Sequence, residues 1–161
     1  MRRAPFDALV EHHGDRVWRV CRSLLPQADA EDAWSETFLA ALEAYPRLAH
    51  DTNLEGWLVT IAHRKAIDVL RRGARLVVGE VPERALPDTA AAGRDLDLAR
   101  ALVQLSPRQR EAVVLHHLGG LPFAEVASVM SSSTDAVRRA SSDGIRRLRT
   151  LLGAEEGGVD A

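Results

Sequence analysis

The chain has 161 residues, 46% hydrophobic and 27% charged, with a formal net charge of −2. That is an ordinary balance for a soluble globular protein, and no apolar run approaches the roughly 20 residues that span a bilayer. Cys21 is the only cysteine, which excludes an internal disulfide and a cysteine-based zinc site.

Residues 1–13 contain two arginines but no long apolar stretch of the signal-peptide kind, so a cytoplasmic location is expected. The small net charge conceals segregation. Asp29, Glu31, Asp32 and Glu36 follow one another with no base between them. Arg64, Lys65, Arg71 and Arg72 face only Asp68, and residues 134–152 hold five arginines against Asp135 and Asp143. Separate acidic and basic surfaces imply separate partners.

Apolar residues recur at helical spacing almost throughout, and no stretch sustains the alternation of a strand. Phe6, Leu9, Val10, Val17, Val20, Cys21, Leu24 and Leu25 form a first stripe ended by Pro26. Ala30, Ala33, Trp34, Thr37, Phe38, Ala41, Leu42 and Tyr45 form a second, ended by Pro46. Leu54, Trp57, Leu58, Ile61, Ala62, Val69 and Leu70 form a third, ended by Gly73. These predict a three-helix bundle over residues 1–72. Residues 73–93 carry two prolines, three glycines and no stripe, and are expected to be a flexible linker.

Periodicity resumes at Leu96, Leu98, Ala99, Leu102, Val103 and Leu105. Ser106-Pro107-Arg108-Gln109 has the form of a capping box, and the helix it starts runs through Val113, Val114 and Leu118 to Gly119-Gly120. Pro122 opens a short helix with Phe123, Val126, Ala127 and Met130 inward. Ser132 and Asp135 have capping-box spacing before a last helix lined by Val137, Ser141, Ile145, Leu148 and Leu152. A short helix, a tight hydroxyl-rich turn and a basic helix make a helix-turn-helix, whose second helix can enter the DNA major groove. At about 100° per residue, Asp135, Arg138, Arg139, Ser142, Arg146 and Arg149 face away from the core. The predicted fold is all-α: the N-terminal bundle, a helix-turn-helix bundle over 94–152, and a polar tail over 153–161.

The stretches DAEDAWSETFLAALEAYPRL, NLEGWLVTIAHRKAIDVLRR and LSPRQREAVVLHHLGGLPFAEVASVM, in that order, resemble the sigma-70 family. They are most similar to the small extracytoplasmic-function (ECF) sigma factors, which keep only the second and fourth domains. The resemblance covers about residues 6–72 and 96–152. It implies that the protein binds bacterial core RNA polymerase, at the β′ clamp helices and the β subunit, and directs promoter-specific initiation. Asp29, Glu31, Asp32 and Glu36 then correspond to the clamp-binding helix, although acids in a first turn also suit the helix dipole. Asn53, Trp57, Arg64, Lys65, Arg71 and Arg72 correspond to the minus-ten element. The loop His50-Asp51-Thr52-Asn53 stands where the family captures a flipped base. Trp57 is in register with core residues as well as suited to base stacking. Ser133, Thr134, Asp135, Arg138, Arg139, Ser142 and Arg146 correspond to the minus-thirty-five reader.

The resemblance allows an anti-sigma factor as a further partner and implies no cofactor and no membrane insertion. The chain departs from the family at Arg64, where asparagine is common, and at Ala140–Ile145, where a dense basic run is usual. Catalysis finds little support. The adjacent pairs His12-His13 and His116-His117 diverge by about 100° on a helix, and no metalloprotease, phosphate-loop or nucleophile-elbow motif is present. Two other readings stay open: a helix-turn-helix transcriptional regulator, and a sigma-like decoy that binds protein without reading promoters.

Overall fold

The structure is a computed structural model and describes residues 3–76 and 93–156. Residues 77–92 of the expected linker and 157–161 of the expected tail lie outside the described residues. All regular structure among the described residues is helical: α1 (Phe6–Leu24), α2 (Gln27–Ala44), a 3-10 turn (Tyr45–Arg47), α3 (Leu54–Leu76), α4 (Gly93–Val103), α5 (Pro107–Val113), α6 (Phe123–Val129) and α7 (Thr134–Glu156). A π-helical turn over Val114–Leu118 prolongs α5. The chain divides into two compact units, one built on α1–α3 and the other on α4–α7.

In the first unit each helix packs on the other two. Pro26 has no N–H to donate and separates α1 from α2, so the chain turns back within two residues. Leu9, Val17, Val20, Cys21, Leu24 and Leu25 of the first stripe are buried, with Ala30, Ala33, Thr37, Phe38, Ala41 and Tyr45 of the second. Small residues on α2 let the helices approach, and Trp34 closes the seam by donating its indole N–H to the Gly14 carbonyl at 3.0 Å. Burial pushes the Cys21 thiol up to about 12.

Two expected core residues of the first unit are not inside. Leu42 is 50% exposed and Leu70 44% exposed. Each sits at the edge of its stripe, where helical drift carries it round to the surface. Val59 and His63 are buried in their place on α3. The third stripe does not end at Gly73 either. Nothing lies within 4 Å of where its side chain would be, and α3 continues to Leu76.

In the second unit α7 packs against α4, α5 and α6. Its core is Ala101, Leu102, Leu105, Ala112, Val113, Val114, Leu115, Leu121, Val126, Ala127, Val137 and Leu148. Val103, placed in the stripe by spacing, is 40% exposed. The Ser106 capping box forms as expected: its hydroxyl accepts from the Gln109 N–H at 3.3 Å, and the Gln109 side chain accepts from the Ser106 N–H at 3.3 Å. Gly120, at φ 74°, provides the left-handed exit before α6.

Candidate protein- and nucleic-acid-binding surfaces

The acidic surface lies on α2. Asp32 and Glu36 are one helical turn apart, and Asp29 is on the same side in the first turn. Glu31 stands about 100° round the helix from Asp32, so the four acids do not form one cluster. Geometry adds a feature that spacing concealed. Leu39 is 63% exposed and shares the face of Asp32 and Glu36, with Leu42 at its margin. The surface therefore combines carboxylates with apolar side chains, a composition suited to docking on another protein.

On α3, Trp57, Arg64, Lys65, Arg71 and Arg72 fall within one face, counting about 100° per residue. Arg64, Arg71 and Arg72 are exposed, while Lys65 and Trp57 are half-buried. Trp57 thus packs and still presents an edge to solvent. Asp68 stands among these bases, and Arg72 reaches Glu36 of α2 at 3.7 Å. Asn53 precedes α3 and caps it: its side-chain oxygen accepts from the Gly56 N–H at 3.4 Å. In the loop before it, Thr52 bonds back to the Ala49 carbonyl through its hydroxyl at 2.7 Å and its N–H at 3.2 Å.

The helix-turn-helix is formed by α6, the turn 130–133 and α7. Ser131 adopts φ 53°. The Ser132 N–H reaches back to the Ala127 carbonyl at 2.9 Å and the Ser131 N–H to the Ser128 carbonyl at 3.3 Å, a Schellman ending. The cap of α7 then falls one residue later than the sequence spacing suggests. Ser133 accepts from the Ala136 N–H at 3.1 Å, while the Ser132 hydroxyl accepts from Arg108 at 2.8 Å. A box between Ser132 and Asp135 is excluded because the Schellman ending uses Ser132 to close α6.

Of the side chains expected to read DNA here, Ser133, Asp135, Arg138, Arg139, Ser142 and Arg146 are exposed and Thr134 is half-buried. Asp143 pairs with Arg146 at 3.8 Å. Gly144 and Ser141 are buried, so they belong to the packed side of α7. Sequence spacing alone did not show how Arg138 is held. Its guanidinium lies 5.7 Å from the centre of the Phe123 ring. Phe123 stacks on His116 at 3.8 Å, 13° from parallel, and His116 Nδ1 is 2.8 Å from the Leu121 carbonyl oxygen. The rings of His116 and His117 touch edge to face at 4.8 Å. His117 is held below the usual histidine range by desolvation and then by His116 beside it.

No described helix is long and apolar enough to cross a membrane. Residues 9–76 match the model for sigma-70 region 2, and residues 95–148 match that for sigma-70 region 4. The chain is 34% identical over 158 residues to the RNA polymerase sigma factor CarQ of Myxococcus xanthus, covering 94% of this chain and 91% of CarQ. It is 32% identical over 158 residues to the ECF RNA polymerase sigma factor SigE of Mycolicibacterium smegmatis, covering 91% of this chain but 61% of SigE. Among solved structures it resembles CnrH in complex with the cytosolic domain of CnrY, with a TM-score of 0.67 and 29% identity, covering 92% of this chain and 88% of that one. A helical unit with an acidic and a basic face, followed by a helix-turn-helix, is thus matched region for region, and the chain belongs to the ECF group of the sigma-70 family of RNA polymerase sigma factors.

Proposed function

We propose that this sigma factor docks on the β′ clamp helices of core RNA polymerase through the α2 face of Asp32, Glu36 and Leu39, with Asp29 at its edge. The exposed basic face of α3 and the loop 50–53 engage the minus-ten region, and the N-terminal end of α7 engages the minus-thirty-five region. The observation that carries this reading is the presence of two unlike faces on one bundle, acidic on α2 and basic on α3, which adjoin where Arg72 reaches Glu36 at 3.7 Å. The carboxylate and leucine surface of α2 suits a protein, and the cationic surface of α3 beside Trp57 suits a nucleic-acid strand. Arginine contacts to phosphate make such binding salt-dependent.

The protein acts by binding and positioning, with no chemical step of its own, in the cytoplasm where polymerase and chromosome meet. CnrH was solved with the cytosolic domain of CnrY. A protein regulator covering the same surfaces of this chain is part of the proposal. Addition of the purified chain to core polymerase on a library of randomised promoters tests the whole reading. Initiation from a defined subset of sequences is expected. Core binding without initiation would favour the decoy, and DNA binding without core binding would favour the regulator.

A further inference from the structure

From the contacts of Arg3 and Tyr45 we infer that the segment leading into α1 is a strap that sets the geometry of the minus-ten loop. The inference rests on the assignment of loop 50–53, within the segment 48–53 that follows the turn, to promoter capture. Arg3 donates through Nη1 to the Tyr45 carbonyl and through Nη2 to the Leu48 carbonyl. Those two carbonyls bracket the 3-10 turn Tyr45–Arg47 from which the loop departs. The Arg3 guanidinium also lies 4.9 Å from the centre of the Tyr45 ring. The Tyr45 hydroxyl returns the contact by donating to the Ala4 carbonyl at 2.6 Å.

The ring is fixed from the other side. Phe6 meets Tyr45 edge-on at 5.7 Å and Phe38 at 6.4 Å, and Trp34 packs on Phe38 at 4.7 Å. Tyr45 is buried, whereas His50, Asp51 and Asn53 beyond it are exposed. One planar guanidinium thus bridges both ends of the turn while resting on an aromatic ring anchored in the core. A lysine has one compact ammonium and cannot reproduce the fork.

A loop that captures a base in one orientation needs its backbone fixed before the base arrives. Its internal bonds are few, from the Leu48 N–H to Tyr45 and from Thr52 to Ala49. The strap supplies what so short a loop lacks. Arg3 and Tyr45 act on the loop through backbone carbonyls and the Tyr45 ring, and are positioning residues.

The test compares the full chain with Arg3→Ala, Arg3→Lys and Tyr45→Phe. Amide exchange at Leu48 and Thr52 is expected to quicken roughly tenfold in Arg3→Ala, the scale of losing charge-assisted hydrogen bonds, with exchange in α7 unchanged. Arg3→Lys should fail to restore protection, and Tyr45→Phe should loosen the loop less. In holoenzyme on the promoter library, Arg3→Ala should flatten base preference at the captured position while leaving core affinity and salt dependence as they were. A structural weakening of the bundle would instead reduce core affinity and leave base preference intact. Unchanged exchange at Leu48 and Thr52, or quickened exchange with base preference intact, overturns the strap. Arg64→Ala with Lys65→Ala serves as the control for the underlying assignment. If that variant leaves minus-ten binding untouched, the assignment of α3 and its loop falls, and the strap's promoter role with it.

Discussion

Gly144 of α7 lies so close to Val113 of α5 that a Cβ at position 144 would stand 2.7 Å from Val113 Cγ2 and 3.4 Å from the Gln109 carbonyl oxygen. The missing side chain lets the two helices meet. Alanine would favour the helix by ~1 kcal/mol. Against that, Val113 is stiff at χ1 and cannot swing aside, and overpacking costs ~1–3 kcal/mol. Gly144→Ala is therefore expected to lower stability in denaturant titration. Adding Val113→Ala should recover part of the loss as a favourable coupling in a double-mutant cycle. A Gly144→Ala chain more stable than the parent would show that the contact is soft.

Ser131 is exposed and holds a left-handed conformation, φ 53°. That conformation costs an L-residue on the order of 1 kcal/mol and glycine nothing. Ser131→Gly should raise the stability of the helix-turn-helix by ~0.5–1 kcal/mol, offset in part by the greater freedom of glycine in the unfolded chain. Thermal unfolding decides it, with a downward shift contradicting the Schellman ending.

The helices and the order of the two units were legible because proline and glycine punctuate a strong 3.6-residue pattern. Pro26, the Ser106 box and Gly120 each act where spacing puts them. What escaped was rotation about helix axes and competition for one group. Leu42 and Leu70 sit at stripe edges, where a few tens of degrees decide between core and solvent. Ser132 could have capped α7 by spacing, but the chain uses it to close α6, and no spacing rule ranks those uses. The candidate surfaces were legible only as charge types on helices. That Leu39 joins the acidic face, or that Phe123 supports Arg138, required the packed structure.

On α2, replacing Asp32 and Glu36 together by lysine should weaken core binding by on the order of tenfold or more, with helical content unchanged. The control is Glu36→Gln alone. It removes the exposed pair with Arg72, which is worth ~0–1 kcal/mol, so stability should barely move. Undiminished capture of core polymerase by the double variant would remove α2 as the docking face.

His117 titrates below its ordinary value of 6.5 because desolvation, then His116, disfavours its charged form. His13 is lowered in the first unit by desolvation and then by His12. A lowered folded-state value means that the unfolded chain binds the proton first. Stability is then fully present above the unfolded value and is lost as pH falls below 6.5 towards the folded value. The midpoint of thermal unfolding should fall across that window, and His117→Asn should flatten part of the fall. A midpoint that rises with acidification there would reverse the sign and refute the assignment.

Arg138 and Arg139 lie in the first two turns of α7, the part of a recognition helix that reaches base edges and phosphates. They differ in support. Arg138 rests on Phe123, itself stacked on His116, whereas no such ring contact is found for Arg139 among the described residues. The rested arginine is the better candidate for a base contact, since its rotamer is restrained before binding. Arg138→Ala should cost ~1–3 kcal/mol at one base pair and relax preference there. Arg139→Ala should weaken all sequences alike and reduce the salt slope by about 0.9. Phe123→Leu keeps an apolar side chain but removes the ring, and should cost ~0.5–1 kcal/mol at the same base pair as Arg138→Ala. Binding isotherms on minus-thirty-five variants at several salt concentrations separate these effects. If Phe123→Leu lowers affinity uniformly, or Arg138→Ala leaves preference intact, the stack holds the fold of the turn and Arg138 reads no base.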